Sequence, residues 1–230
     1  MTKKKKIMYL IFFISLDVFL LYGFLTIHNA TMLNYIRKEV SKLESKDLAS
    51  DSFSYKVVTM GGYATVEKAI KSYLYDYSSL LKETNDIVID DKLKKVLSYD
   101  NYQNDGPLFN ESFLYLEDRK ETFNKNIDIL ISKCDKDRIK NNINNKSNIS
   151  YFKNLYNELF VTDHFIGEFK DNKSLLIATK EKMNNIYNTC LETLNYLSSE
   201  KDNWVIEDGE IKFQTKEMYD KYMNLISKVK

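Results

Sequence analysis

Twenty-one consecutive residues, Ile7–Ile27, carry one charge, Asp17, and follow four lysines, Lys3–Lys6. A helix of that length rises roughly 31 Å, the thickness of a hydrocarbon core. The run therefore predicts a single membrane-spanning helix, retained as an anchor. A cleaved secretory signal has a shorter apolar core, about 7–15 residues, with small residues ahead of the cut. Here the best cut would follow Ala30, with His28 at the third position before it.

The flanks orient the span. Lys3–Lys6 precede it, and the next basic residues, Arg37 and Lys38, come some way after it with Glu39 beside them. The positive-inside rule then puts residues 1–6 in the cytoplasm as a basic tail and everything past residue 27 outside the cell membrane. Tyr9 and Tyr22 fall near the two ends, where interfacial aromatics sit.

Asp17 lies at the middle of residues 7–27. An aspartate at the bilayer centre costs about 2.5–3.5 kcal/mol, and each surrounding Leu, Ile, Phe or Val returns about 0.3–0.6 kcal/mol, so insertion stays favourable. Two readings of Asp17 are open. It pairs with a polar group on another transmembrane helix and marks an assembly site, or it is tolerated there, protonated or reached by water.

Past the membrane, Leu33, Ile36, Val40 and Leu43 repeat at helical spacing, which extends the helix as an amphipathic stalk too short to claim a coiled coil. The stalk packs back on the domain or pairs with a second chain, which would make a homo-oligomer through residues 7–48. Residues 28–62 read as stalk and connector, with "FSYKVV" alternating weakly like a short strand and Gly61-Gly62 as a breaker.

One proline and six glycines in 230 residues cannot punctuate an all-β chain and suit long helices. Tyr63, Val66, Ile70, Tyr73, Tyr77 and Leu80 mark one helix face, with Glu67, Lys68 and Lys71 as the charges between them. A short helix is expected over Asp90–Tyr99, and a long one from an Asn110 N-cap through Phe113, Leu116, Phe123, Ile127, Leu130 and Cys134. Residues 135–150 read as a frayed end and loop, followed by a helix over Tyr151–Phe160. A third long helix is expected over Asn172–Ser199, its face formed by Leu176, Met183, Ile186, Tyr187, Cys190, Leu194 and Leu197. The period then changes: residues 204–213 are two apolar runs around Asp208-Gly209, a hairpin signal, with Trp204, Ile206, Ile211 and Phe213 packing inward. Thr215 caps a last helix through Met218, Tyr222, Leu225 and Val229. The expected fold is all-α, a membrane-anchored antiparallel bundle over residues 63–230 with one small C-terminal β-hairpin.

Of 34 basic and 33 acidic residues, setting aside Lys3–Lys6 and Asp17 leaves 30 against 32, a balance that gives no reason to bind nucleic acid. Lys, Asn, Ile and Tyr are abundant together, as AT-rich codons of a low-GC bacterium would make them. The two histidines, His28 and His164, are too few for a metal centre. No hydrolase, phosphate-binding or dinucleotide motif accompanies them. "DNYQNDGPLFNE", Asp100–Glu111, approaches a calcium loop, but with Glu111 at position 12 the required Gly at 6 is Asp105, so an ordinary turn is expected. Cys134 and Cys190 fall on apolar faces of two long helices, and either form one interhelix disulfide or stay buried thiols.

This layout resembles the helical-bundle sensor ectodomains of bacteria in architecture. Such sensors return through a second membrane helix, and no second run of that length occurs in this sequence. The expected role is a cell-envelope binding or structural module that needs no cofactor and is not an enzyme. Its expected partners are the lipid bilayer and another envelope or membrane protein. An accessory subunit assembled through Asp17 is the alternative, and an envelope enzyme with an unrecognised site the lesser one.

Overall fold

The first helix, α1, runs unbroken over Lys3–Glu44. The computed structural model describes residues 3–144 and 146–228, and within α1 the side chains of Ser15, Asp17 and every residue from Phe19 on. Among the described residues no helix is long and apolar enough to cross a membrane. Most side chains of the expected span's first half lie outside those described. After α1 the order is α2 (Gly61–Val88), α3 (Asp91–Lys95), α4 (Tyr99–Asp105), α5 (Asn110–Lys133), α6 (Lys136–Asn141), α7 (Ser150–Phe160), α8 (Asp163–Ser199), β1 (Trp204–Glu207), β2 (Glu210–Phe213) and α9 (Lys216–Ser227). The protein is thus mostly helical with a small two-stranded antiparallel sheet near the C-terminus.

The chain divides into two compact units. The first comprises Met1–Tyr75 and Lys140–Phe165, the second Asp76–Ile139 and Ile166–Lys230.

In the first unit the expected stalk is part of the core. Met32, Ile36, Val40 and Leu43 are buried, so one face of α1 is covered by protein of its own chain. Arg37 pairs with Glu158 of α7 at 2.8 Å, and further along the Glu44 carbonyl accepts from His164 Nε2 at 2.9 Å, just beyond α7. Between α2 and α7, Tyr63 meets Tyr151 and Phe152, and ten residues later Tyr73 meets Phe160. Lys71 of α2 reaches Glu39 of α1. These pairs ascend together, so α1, the first part of α2, and α7 run in the same direction, where a bundle of successive helices joined by loops is expected to be antiparallel. Parallel helices need long returns. Residues 45–60 make one, and residues 76–149 make the other. Gly62 permits the close fit of α2 on α7: a Cβ there would stand 1.9 Å from the Phe152 ring.

The expected strand at "FSYKVV" does not form; residues 51–60 have no regular secondary structure. Its backbone groups are taken by side chains instead. Glu67 accepts from the Val58 and Thr59 N–H groups, and Lys71 donates to the Lys56 carbonyl.

The second unit follows the apolar pattern closely. Leu116, Phe123, Ile127 and Leu130 of α5 and Cys134 at its C-cap are buried, as are Leu176, Met183, Tyr187, Cys190, Leu194 and Leu197 of α8. α8 begins earlier than the expected Asn172, because Phe165 and Phe169 keep the one-face spacing through "VTDHFIGEF". Asn110 is inside α5 and not its cap; the Asp105 carboxylate accepts from the Glu111 and Ser112 N–H groups instead. The hairpin pairs Trp204 with Phe213 and Ile206 with Ile211 across the Asp208-Gly209 turn. Both turn residues have positive φ, as a two-residue loop of this hand requires. Trp204 Nε1 donates to the Leu197 carbonyl at 2.7 Å, which fastens the hairpin to α8. Thr215 caps α9 by accepting from the Met218 N–H. Val229 lies outside the described residues.

Candidate functional site

A cavity of about 460 Å³ opens in the second unit. Its position follows from local sequence. α2 ends at Val88, and the Asp90 carboxylate then caps α3 by accepting from the Lys92 N–H at 2.9 Å. That cap turns Leu93, Val96 and Leu97 toward the cavity, and Met183, Ile186 and Cys190 line it from one face of α8. Three polar side chains complete the wall: Thr179, Lys94 and Lys182.

The volume lies within the range of small-molecule sites, which are mostly apolar with a few placed polar groups. Both charged residues of the lining are cationic. Lys94 also pairs with Asp91 at 2.9 Å, but both are well exposed, and such pairs hold a lysine weakly. The Cys190 thiol is pushed up to about 11 by burial, so at neutral pH it is a protonated, apolar wall element and a poor nucleophile. The arrangement can hold an apolar chain with an anionic head.

No family model, curated protein or solved structure matches this chain.

The residues singled out in the sequence are dispersed. Asp17 is exposed on α1 and shares a shallow groove with Leu20, Leu21 and Phe24, one stripe at the spacing of a helix face. His28 stacks on Phe24, ring centroids 6.2 Å apart. His164 supplies an N–H to the carbonyl end of α1, where a donor satisfies an orphan acceptor. Cys134 and Cys190 are both buried and unbridged. The Cys134 thiol faces the Tyr77 hydroxyl at 3.7 Å and is likewise pushed up to about 11 by burial. Asp100–Glu111 forms α4 and the turn into α5, with Asn101 bonded to Ser112. Among the described residues no group of three His, Cys, Asp or Glu side chains could hold a metal ion.

Sequence reading missed a buried ionic cluster in the first unit. Glu67 and Lys71 were expected among the charges between apolar positions, yet they are 1% and 4% exposed. Lys71 Nζ donates to Glu67 at 2.6 Å, Glu39 at 2.7 Å and the Lys56 carbonyl at 2.7 Å, using all three of its protons. Burial alone would raise the Glu67 carboxyl, but hydrogen bonds from Lys71 and Thr59 outweigh it and hold it below its ordinary range. Burial would lower Lys71, and its bonds to Glu39 and Glu67 raise it instead. A cluster so fully satisfied ties α1, α2 and the connector together and offers no free valence to a substrate. The only sequence signal for it was the i, i+4 spacing of Glu67 and Lys71.

Proposed function

We propose that the protein is a single-pass, membrane-tethered binding module of the cell envelope, with its N-terminus cytoplasmic and both units outside. The observation that carries this reading is the continuity of α1. Phe19–Ile27 presents an exposed apolar run, with Phe19 and Tyr22 each 72% exposed, and the same helix goes on to bury Met32–Leu43 in the first unit. An apolar helix uncovered by its own protein is stable in lipid and a liability in water. The four lysines ahead of it support the orientation. The cavity of the second unit gives such a module a place for a ligand, and the ligand class it favours is an apolar chain with an anionic head.

The test is fractionation and exterior proteolysis of cells making the full chain with a C-terminal tag. The protein stays with alkali-washed membranes, and external protease removes the tag. A tag protected on intact cells, or a chain released by alkali, overturns the reading.

One observation favours a second role, as a subunit of a membrane complex. Asp17, Leu20, Leu21 and Phe24 share one stripe of α1, a face suited to a neighbouring helix. If Asp17→Leu leaves co-purifying membrane proteins and self-association unchanged, that role is excluded.

A further inference from the structure

The common direction of α1, α2 and α7 sets which end of the first unit meets the bilayer. Arg37 is level with Glu158; seven residues back along both helices, Ala30 is level with Tyr151. Glu39 is level with Lys71; eight residues back, Thr31 is level with Tyr63. The two estimates close on each other, because Tyr63 and Tyr151 do meet, hydroxyls 3.2 Å apart. The starts of α2 and α7 therefore lie level with residues 28–31 of α1. Ala30 is three residues past the end of the apolar run, a rise of roughly 4.5 Å.

Large apolar side chains are exposed at that level. Met60, directly before α2, is 65% exposed; Ile149, directly before α7, is 58%; Tyr151 is 51%. Two chain segments distant in sequence thus place Met60, Ile149 and Tyr151 at the height where α1 leaves the exposed apolar run. We propose that this end of the first unit is a lipid-contact surface, and that Met60, Ile149 and Tyr151 rest in the interfacial layer of the same bilayer that holds α1. The proposal rests on the tether reading and adds to it: the domain sits directly on the membrane surface with no flexible spacer, since the helix that enters lipid is the one packed into the core. Tyrosine suits this layer, where its ring is buried and its hydroxyl stays wet. The occupant follows from continuity with the apolar run of α1.

The experiment places an environment-sensitive fluorophore on single added cysteines in the full chain, reconstituted in phosphatidylglycerol–phosphatidylcholine vesicles containing headgroup-proximal doxyl lipid. Met60→Cys, Ile149→Cys and Tyr151→Cys report the surface, and Leu21→Cys reports the tether. Ser45→Cys sits directly past the last residue of α1, fifteen residues beyond Ala30 and roughly 22 Å away. The parent, with Cys134 and Cys190 buried, sets the background. The expected result is a blue shift and quenching at 60, 149, 151 and 21, with none at 45. Quenching at 21 without quenching at 60, 149 and 151 overturns the proposal and leaves the tether standing. Equal quenching at 45 also overturns it. No quenching at 21 removes tether and proposal together. A photoreactive phospholipid in the same vesicles tests the unlabelled chain: adducts belong on peptides carrying Met60 and Tyr151, and adducts confined to α1 contradict the surface.

Discussion

Lys71 Nζ lies 2.6 Å from Glu67 Oε1, one turn away on α2, and both side chains are closed off from water. An i, i+4 pair on a helix surface contributes only a few tenths of a kcal/mol. Buried, the same pair is a commitment: each charge is tolerable only while the other is present. Lys71→Ala would leave the Glu67 carboxylate without its counter-charge, and we expect a loss of about 3–5 kcal/mol. Urea unfolding monitored by circular dichroism measures it. A loss under about 1 kcal/mol would mean that water reaches the cluster.

The same cluster gives the first unit a pH dependence with a definite sign. Glu67 and Glu39 are both held below their ordinary 4.5 by bonds to lysines. A carboxylate with a depressed folded value binds fewer protons folded than unfolded, so its stabilisation is full above the ordinary value and is lost as pH falls through the lowered one. Urea midpoints should therefore drop as pH falls below about 4.5, and Glu67→Gln should flatten that slope. Parallel curves for parent and variant would remove Glu67 as its source.

Both thiols should be nearly inert in the folded protein. With each pushed up to about 11, roughly one molecule in a thousand is thiolate at pH 8, and burial hinders access further. Intact mass after a short iodoacetamide treatment should show no adduct in buffer and two in guanidinium. Adducts in buffer would show the helices opening; the absence of both adducts in guanidinium without reductant, with two restored by reductant, would show a bridge.

The cavity predicts a charge preference that does not depend on knowing its natural ligand. A fluorescent long-chain carboxylate such as parinaric acid should bind the full chain in nanodiscs better than the corresponding alcohol. Lys182→Glu, at an exposed lining position, should weaken the acid several-fold and leave the alcohol unchanged, the behaviour of a rim charge. Equal weakening of both would show that the lysine shapes the cavity without reading charge.

The hairpin turn offers a local check. Gly209 has φ of +75°, with nothing within 4 Å of an added Cβ, so Gly209→Ala introduces backbone strain without a clash. A cost of about 1 kcal/mol is expected in the same urea experiment.

Local pattern alone determined most of the elements. The face Tyr63–Tyr77, the α8 face from Leu176 to Leu197 and the Asp208-Gly209 turn can all be read from residues close in sequence, because each depends on neighbours within a turn or across a two-residue loop. Tertiary structure decided what depends on distant partners. Met32, Ile36, Val40 and Leu43 are buried in their own chain, where Glu158 of α7, more than a hundred residues away, reaches Arg37 and His164 reaches the Glu44 carbonyl. Glu67 and Lys71 are buried because Glu39 and the connector backbone arrive to complete their bonds; without those partners the same residues would read, correctly, as a solvated face. The direction of the helices in the first unit escapes periodicity altogether: a hydrophobic stripe states which side of a helix is covered, and says nothing about which way the neighbouring helix runs.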